Sequence, residues 1–457
     1  MPAVSLQPSS MRFVDPGIRR LFDEASRWQS WLDVEAALAK AQAELDIIPT
    51  SAAETIANNA QLEKLDDAAI REGLLRTGHP LVPLVWELAR VCGDEAGGYV
   101  HWGATTQNIL EAGDNMLLKT AHNTFLKQFS ELLPALANVA ERSADMAMAG
   151  RTHGQHAVPV TFGYKVAVWI DELVRHVERL RALEDRVFIA MMGGGAGTYA
   201  SLGAQGPEVQ ARMAKHLGLS SARVPSRTHG DREAEYITTL ALIAATSAKI
   251  GNEIYVLMKQ EFAEASEPVP AGTVGSSTMP QKRNPILCQD VVSDAAKVRS
   301  VVPMALEAML TEHEANRATS EMMRTALSEA AIRTGDILAR LIEIANGLTL
   351  DPDRMRQNLD LTGGMILSEA IMMELGERMG RQVAHDLVYD AVEKVREGTT
   401  TFADALTSDP EIRAQLGEDG TSRLTNPSIY TGLCSDMART QAGVARTIAA
   451  ELKALTD

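Results

Sequence analysis

The densest run of chemically capable side chains in this chain lies between Gly275 and Pro285, GSSTMPQKRNP. Two serines, a threonine, Lys282, Arg283 and Asn284 fall within this one short stretch. Hydroxyl, ammonium, guanidinium and carboxamide donors gathered so closely suit a small anion, above all a carboxylate. Gly272 and Gly275 offer hinge freedom, and Pro280 and Pro285 fix turns. Such a segment could close over a site and exclude water. A solvated surface loop rich in turn residues accounts for the composition equally well.

Two further segments hold residues of the right type. In Arg151-Thr152-His153-Gly154-Gln155-His156, imidazoles that titrate near neutrality suit acid–base work. The spacing of His153 and His156 could place two ligands on one helical face, but no third ligand follows at zinc-like spacing, so no metal is expected. Two junction histidines bonded to backbone carbonyls is the plainer reading. In His101-Trp102-Gly103-Ala104-Thr105-Thr106-Gln107-Asn108, Thr105 or Thr106 could cap a helix whose exposed N–H groups favour an anion. Gly193-Gly194-Gly195-Ala196-Gly197-Thr198 lacks the Gly-Lys-Ser/Thr ending and a preceding strand, which excludes a nucleotide P-loop. The tetrapeptide RTHG occurs at 151–154 and again at 227–230 in unlike surroundings, and reads as coincidence.

The elements that must position these groups read as helices. From Trp28 to Leu45, Trp31, Leu32, Val34, Ala37, Leu38 and Ala41 recur at three-and-four spacing. Leu118, Ala121, Phe125, Phe129, Leu132, Leu136 and Val139 continue that pattern through a longer segment at about 115–148. Comparable stripes run at about 162–191, 232–265, 287–311 and 322–347. Helices this long that keep an apolar seam pack along one another. The fold class expected is therefore all-α: a central bundle of about five long helices, at 114–362, between smaller helical domains at 1–113 and 363–457. Methionines in the stripes, such as Met258, Met304, Met309, Met322 and Met323, read as core packing.

Composition narrows the function. The 457 residues carry 44 Lys+Arg against 60 Asp+Glu, a formal charge of −16, which argues against a nucleic-acid binder needing a basic face. Aromatic residues make up only 4% and methionines number 20, which favours Ala-, Leu- and Met-packed helices over a β-sandwich. Cys92, Cys288 and Cys434 are odd in number and widely spaced, against a disulfide framework. The first residues lack a basic start and apolar core, and no uninterrupted apolar run approaches the ~18 residues of a membrane span. A reducing cytoplasm, with no membrane partner, is expected.

GSSTMPQKRNP resembles the signature of the fumarase/aspartase superfamily, usually GSSxMPxKxNP. GGYVHWGATTQN and AGRTHGQHAVPVTFG agree in the same order, and the likeness runs from RWQSWLDVEAALAKAQAELDIIP to GRQVAHDLVYDAV, nearly the whole chain. Within the superfamily it is similar to the branch holding adenylosuccinate lyase and 3-carboxy-cis,cis-muconate cycloisomerase. The resemblance implies a cofactor-free homotetramer, with each active site built where the three motifs of three subunits meet. It also implies the chemistry: a proton is removed α to a carboxylate, which holds the charge as an aci-carboxylate while the β-substituent leaves and fumarate forms.

Matched residue by residue, Ser277 stands at the general base and His153 at the group that protonates the leaving atom. Lys282 and Asn284 stand at positions that hold the substrate carboxylate, as do Thr105 and Thr106. Gln107, Ser276 and Thr152 stand at further substrate contacts, and His79 in RTGHPLVPLV lies near another histidine used by adenylosuccinate lyases. Three departures are specific. Cycloisomerases usually lack histidine at the position of His153, so keeping it favours a nitrogen or oxygen leaving group. Adenylosuccinate's phosphate contacts are replaced: an Arg-Tyr pair by Arg12-Phe13, and a phosphate-binding arginine by Met322, which removes a bidentate contact. Asn108 stands where many members carry Asp. The expectation is a lyase that splits an N-substituted aspartate, an N-succinyl amine or amino acid, into fumarate and an amine; lactone formation by a cycloisomerase and cleavage of adenylosuccinate are the alternatives.

Overall fold

The computed structural model describes residues 8–270, 272, 276–423 and 426–456. Gly275, named above as a hinge, lies outside the described residues, whereas Gly272 adopts φ +81°. Five bundle helices form: Thr106–Arg142, Phe162–Val187, Asp231–Leu257, Ile286–Ser300 and Arg317–Gly347. The predicted stripes face inward, with Leu118, Phe125, Phe129 and Leu132 of the first helix fully buried. Caps set the starts. Thr161 accepts the N–H of Tyr164 at the second helix, and Asn316 that of Ala318 at the fifth.

Side-chain tethers show the helices running up, down, up, down and up. Gln107 and Glu111, at the start of the first helix, meet Arg227 and Arg232 at the start of the third. Asn115 donates to the carbonyl of Ile189, just past the end of the second, and Arg324 pairs with Asp114 near the start of the fifth. We call this the proximal end. At the distal end, Arg142 donates to the carbonyl of Leu348, and Glu267 accepts the N–H groups of Leu287 and Cys288 at the start of the fourth helix. With 1.5 Å of rise per residue, the 37 residues of the first helix separate the two ends by about 55 Å.

The opening helix, Glu24–Ala43, crosses the first bundle helix at Gly113. A Cβ there would come within 2.7 Å of both Ser30 Oγ and Trp31 Cδ1, so only glycine allows the approach. The last helix, Cys434–Thr456, returns from the C-terminal region to lie on the first and second bundle helices. Ser435 and Arg439 bond Asp145, and Arg446 bonds Glu141. Its Ala442, Ala445, Ala449 and Leu452 join the bundle core. Residues 359–416 hold a separate apolar cluster that includes Leu359, Ile371, Leu375, Phe402 and Leu416.

Several local expectations are corrected. The stretch at 287–311 is two helices, Ile286–Ser300 and Val302–Glu307, because Pro303 has no N–H to continue the ladder. The first long helix ends at Arg142 rather than 148, and Ala147–Thr152 and Gln155–Thr161 form an antiparallel hairpin, the largest of three two-stranded sheets among the described residues. The third helix has a mean hydropathy of 1.2 over 18 residues, enough by length and composition for a membrane span, with 56% of that stretch buried inside the bundle. Cys92, Cys288 and Cys434 are all free and buried.

Candidate active site

The first motif occupies the proximal end. Asn108 caps the first helix through its Oδ1, which accepts the N–H of Thr105 at 3.1 Å, while its Nδ2 donates to Met191 Sδ at 2.9 Å. It is fully buried, so Asn108 does structural work here. Thr105 is the N-cap and Thr106 opens the helix, which leaves both near the positive end of its dipole. Thr106 Oγ1 lies 3.3 Å from His79 Nε2. His79 Nδ1 is committed on its other side, because it accepts the N–H groups of Leu81 at 3.3 Å and Val82 at 3.1 Å. An imidazole nitrogen that accepts two N–H donors carries no proton, so the proton sits on Nε2 and points at Thr106. Burial, together with the charges of His101 and Arg317, pushes the His79 pKa down and keeps this neutral form. His101 is held above its usual value: burial pulls it down, but Glu35 at 2.6 Å outweighs that.

Behind Gln107 opens a cleft of about 90 Å³ whose lining includes Glu111, Arg227, Gly230, Glu233, Thr319, Met323 and Arg324. Gln107 Nε2 donates to the Arg227 carbonyl at 2.9 Å, and Arg227 Nε donates back to Gln107 Oε1 at 3.0 Å. Glu111 accepts from Arg232 at 3.1 Å, and Asp114 accepts from Arg324 at 3.0 Å. Burial, then the neighbouring Glu233 carboxylate, raises the Glu111 pKa to about 7 against the pull of Arg232. Burial raises Glu233 as well.

The second motif lies at the distal end. Thr152 and His153 are exposed at the hairpin tip, where His153 (φ +53°) and Gly154 (φ +77°) make a turn in left-handed backbone. His153 and His156 therefore sit on a hairpin, not on a helical face, and the metal geometry does not arise. Among the described residues no cluster of three or more His, Cys, Asp or Glu could hold a metal. The hairpin is anchored close to its tip and along its first strand. Arg151 forks onto Glu264 at 2.7 and 3.0 Å and lies over the Phe262 ring, and Ala149 is buried in the C-terminal apolar cluster.

The third motif is also distal. Ser277 and Lys282 are exposed, and Lys282 shares a pocket with Tyr255, Lys259, Met279 and Arg283 at the end of the third helix. Ser276 Oγ accepts the N–H groups of Thr278 at 3.3 Å and Met279 at 3.1 Å, shaping the turn that presents Ser277. Asn284 is half-buried where the segment enters the fourth helix. Glu267, buried, closes the stem of this segment by capping that helix.

One chain thus brings Thr105, Thr106, Gln107 and His79 together at one end, and holds His153 with Thr152, and Ser276, Ser277, Lys282 and Asn284, at the other. Sequence reasoning missed Glu111, Arg227, Glu233 and Glu264, and gave Arg151 no role of its own. A polar stripe at Gln107, Glu111, Asp114 and Asn115, spaced three and four apart at the head of an otherwise apolar helix, is the signal that points to the cleft. The second RTHG lines that cleft from Arg227 to Gly230. Met309 is exposed and Met323 lines the cleft, so these two methionines are not simple core filling.

Known proteins agree along the whole chain. The family model described as lyase matches residues 12–300, and that of the adenylosuccinate lyase C-terminus matches 364–440. An N-acetyl-S-(2-succino)cysteine lyase of Enterococcus italicus is 38% identical over 92% of this chain and 92% of its own. A 3-carboxy-cis,cis-muconate cycloisomerase of Pseudomonas aeruginosa is 37% identical over 92% of each. The crystal structure of a fumarate lyase from Mesorhizobium sp. BNC1 superposes with a TM-score of 0.88 at 35% identity, covering 94% of this chain and 98% of that one. With its signature segments in order and its long-helix bundle, the chain belongs to the fumarase/aspartase superfamily of lyases.

Proposed function

We propose that the enzyme carries out β-elimination on an N-substituted aspartate, an N-succinyl amine or amino acid, and releases fumarate and an amine. The observation that supports this most is His153 presented at a hairpin tip alongside a complete Ser277, Lys282 and Asn284 set. Ser277 would take the proton α to the carboxylate. A serine hydroxyl is far too weak a base at neutral pH unless cations and N–H groups stabilise its alkoxide, the task assigned to Lys282 and the surrounding turn. Thr105 and Thr106 would hold a substrate carboxylate. His79 donates to Thr106 Oγ1, which leaves the threonine's own O–H free to donate onward. Lys282 and Asn284 would hold the aci-carboxylate as charge develops, and His153 would protonate the departing nitrogen.

This assignment requires a homotetramer in which ends of different chains meet. The separation of Thr106 from His153 along the first helix supports that assembly. Adenylosuccinate fits poorly. Arg12 is turned toward Glu267 at 4.0 Å and Phe13 stacks under Arg340 at 4.6 Å, so the pair that would contact phosphate ties the N-terminal arm to the bundle. A thioether substrate, an S-succinyl thiol, is the second reading, favoured by the Enterococcus relative, because the same elimination serves a sulfur leaving group.

The test is incubation with fumarate and a panel of amines, amino acids and thiols, following loss of fumarate. Consumption with a nitrogen nucleophile supports the first reading, and consumption with thiols alone moves the assignment to the second. Lactone formation from 3-carboxymuconate, with no consumption of fumarate, would replace both by a cycloisomerase.

A further inference from the structure

The proximal cleft contains two groups that the rest of the chain leaves unanswered. Glu233 is 8% exposed, lines the cleft, and among the described residues neither of its carboxylate oxygens takes a hydrogen bond from another side chain. Its cationic neighbour, Arg232, forms an ion pair with it at 3.7 Å and donates to Glu111, with Nε and Nη1 unbonded among the described residues. A buried carboxylate without donors costs several kcal/mol unless something supplies them. Arg227 presents the opposite case. Its guanidinium donates to the Gln107 amide and to the Gly195 carbonyl, both neutral acceptors. The other arginine lining the cleft, Arg324, is paired with Asp114 and Glu321. One wall therefore offers a carboxylate seeking N–H donors, and another offers a guanidinium whose hydrogen bonds go to neutral groups.

The position of the cleft gives these two groups a role. Gln107, the residue next to Thr106, lines it, and so links it to the end of the helix where Thr105 and Thr106 would hold the succinyl carboxylate. The cleft's volume of about 90 Å³ is room for several waters, and so for a small side chain. Thr319 and Met323 supply a small hydroxyl and an apolar flank, and His229 lies in the same wall as Arg227. Burial lowers the Arg227 pKa and raises those of Glu111 and Glu233, so N–H donors reaching Glu233 would favour its charged form.

We propose that this cleft is the leaving-group pocket and that it selects a leaving group bearing both a carboxylate, which binds Arg227, and an N–H donor, which binds Glu233. The class is an amino acid or N-acylamino acid, as opposed to a simple amine or thiol. This rests on the fumarate-releasing reading above for the place of the succinyl half, while the pocket's own chemistry rests on Arg227 and Glu233.

The test pairs each acid with its decarboxylated analogue: cysteine with cysteamine, N-acetylcysteine with N-acetylcysteamine, and alanine with ethylamine. Each is offered with fumarate to the purified protein, and each is also titrated calorimetrically without fumarate into wild type, Arg227→Gln and Glu233→Gln. Acids that react while their analogues do not are the expected result. Arg227→Gln should weaken binding of the acids by about 10- to 100-fold, the worth of a charge-assisted hydrogen bond, and leave the analogues unaffected. Glu233→Gln should weaken acids and analogues alike, since both keep the N–H donor, and thermal melting of each variant guards against misfolding. Equal reaction of acids and analogues, or acid binding indifferent to Arg227, overturns the pocket while the lyase reading stands. Arg227-dependent binding with no fumarate consumed by any nucleophile keeps the pocket and overturns the lyase reading. No binding and no reaction overturn both.

Discussion

Arg151 grips Glu264 with both arms of its guanidinium, at 2.7 and 3.0 Å, and Glu264 is fully buried. The pair joins the hairpin that carries His153 to the chain just upstream of the signature segment. Asn358 Nδ2 adds a third donor to Glu264 at 2.8 Å. Arg151→Ala would leave that carboxylate buried with no cation, at a cost of about 3–5 kcal/mol. Urea denaturation should show the loss, and turnover should fall with it as His153 loses its mount. Full stability in Arg151→Ala would contradict this account of the hairpin.

Ser277 is exposed, so its replacement by alanine should leave the melting temperature unchanged. Since Ser277 is the proposed base, its loss should lower kcat by about 10³-fold or more, within the range for a positioned proton-transfer group. Appreciable residual turnover would move the base elsewhere.

His79 performs two tasks through two nitrogens, and substitutions should separate them. Asparagine places an acceptor near Nδ1 and can keep the bonds to the Leu81 and Val82 N–H groups, at the cost of the donor to Thr106. His79→Asn should therefore hold stability within about 0.5 kcal/mol and lose activity. Glutamine places its N–H₂ near Nε2 and gives up the backbone bonds. His79→Gln should lose about 1 kcal/mol of stability and keep more of the activity. Thermal melts set beside KM and kcat decide the matter, and the reverse ranking would refute the tautomer.

Acid should find His176. Its ring accepts from Arg179 at Nδ1 (3.1 Å) and donates from Nε2 to Thr246 (2.9 Å), which in turn donates to Glu172. Burial, then the charge of Arg179, lowers its pKa from 6.5 to about 4. The folded chain keeps the ring neutral while the unfolded chain protonates it below 6.5. Its contribution is thus complete above pH 6.5 and is lost as pH falls toward 4, about 3 kcal/mol in all. Denaturation of His176→Gln across that range should show a shallower fall than wild type; parallel curves would exclude His176 as the source.

The bundle was legible because its helices bury one continuous apolar seam, so Leu118 through Val139 announce their own period. The signature segment was legible because serines, a lysine and an asparagine at fixed spacing have little reason to coincide. Other features were hidden for physical reasons. The hairpin at 147–161 is short, and its Ala-Met-Ala and Val-Pro-Val runs fit a helix junction as well as a strand. The last helix carries alanines at the spacing of any small helix, and only its partner surface on the first bundle helix reveals that it joins the core. Arg227, Glu233 and Glu264 are charged residues, which read as solvated until tertiary structure buries them. The cleft needs residues more than a hundred positions apart, and local patterns carry no record of that.

The length of the first bundle helix has a consequence for how the enzyme behaves in dilute solution. If one catalytic centre needs both the Thr106 end and the His153 end, a lone chain about 55 Å long between them has no working centre at all. Specific activity then follows mass action, holding steady while the assembly is saturated and dropping more steeply than concentration once subunits part.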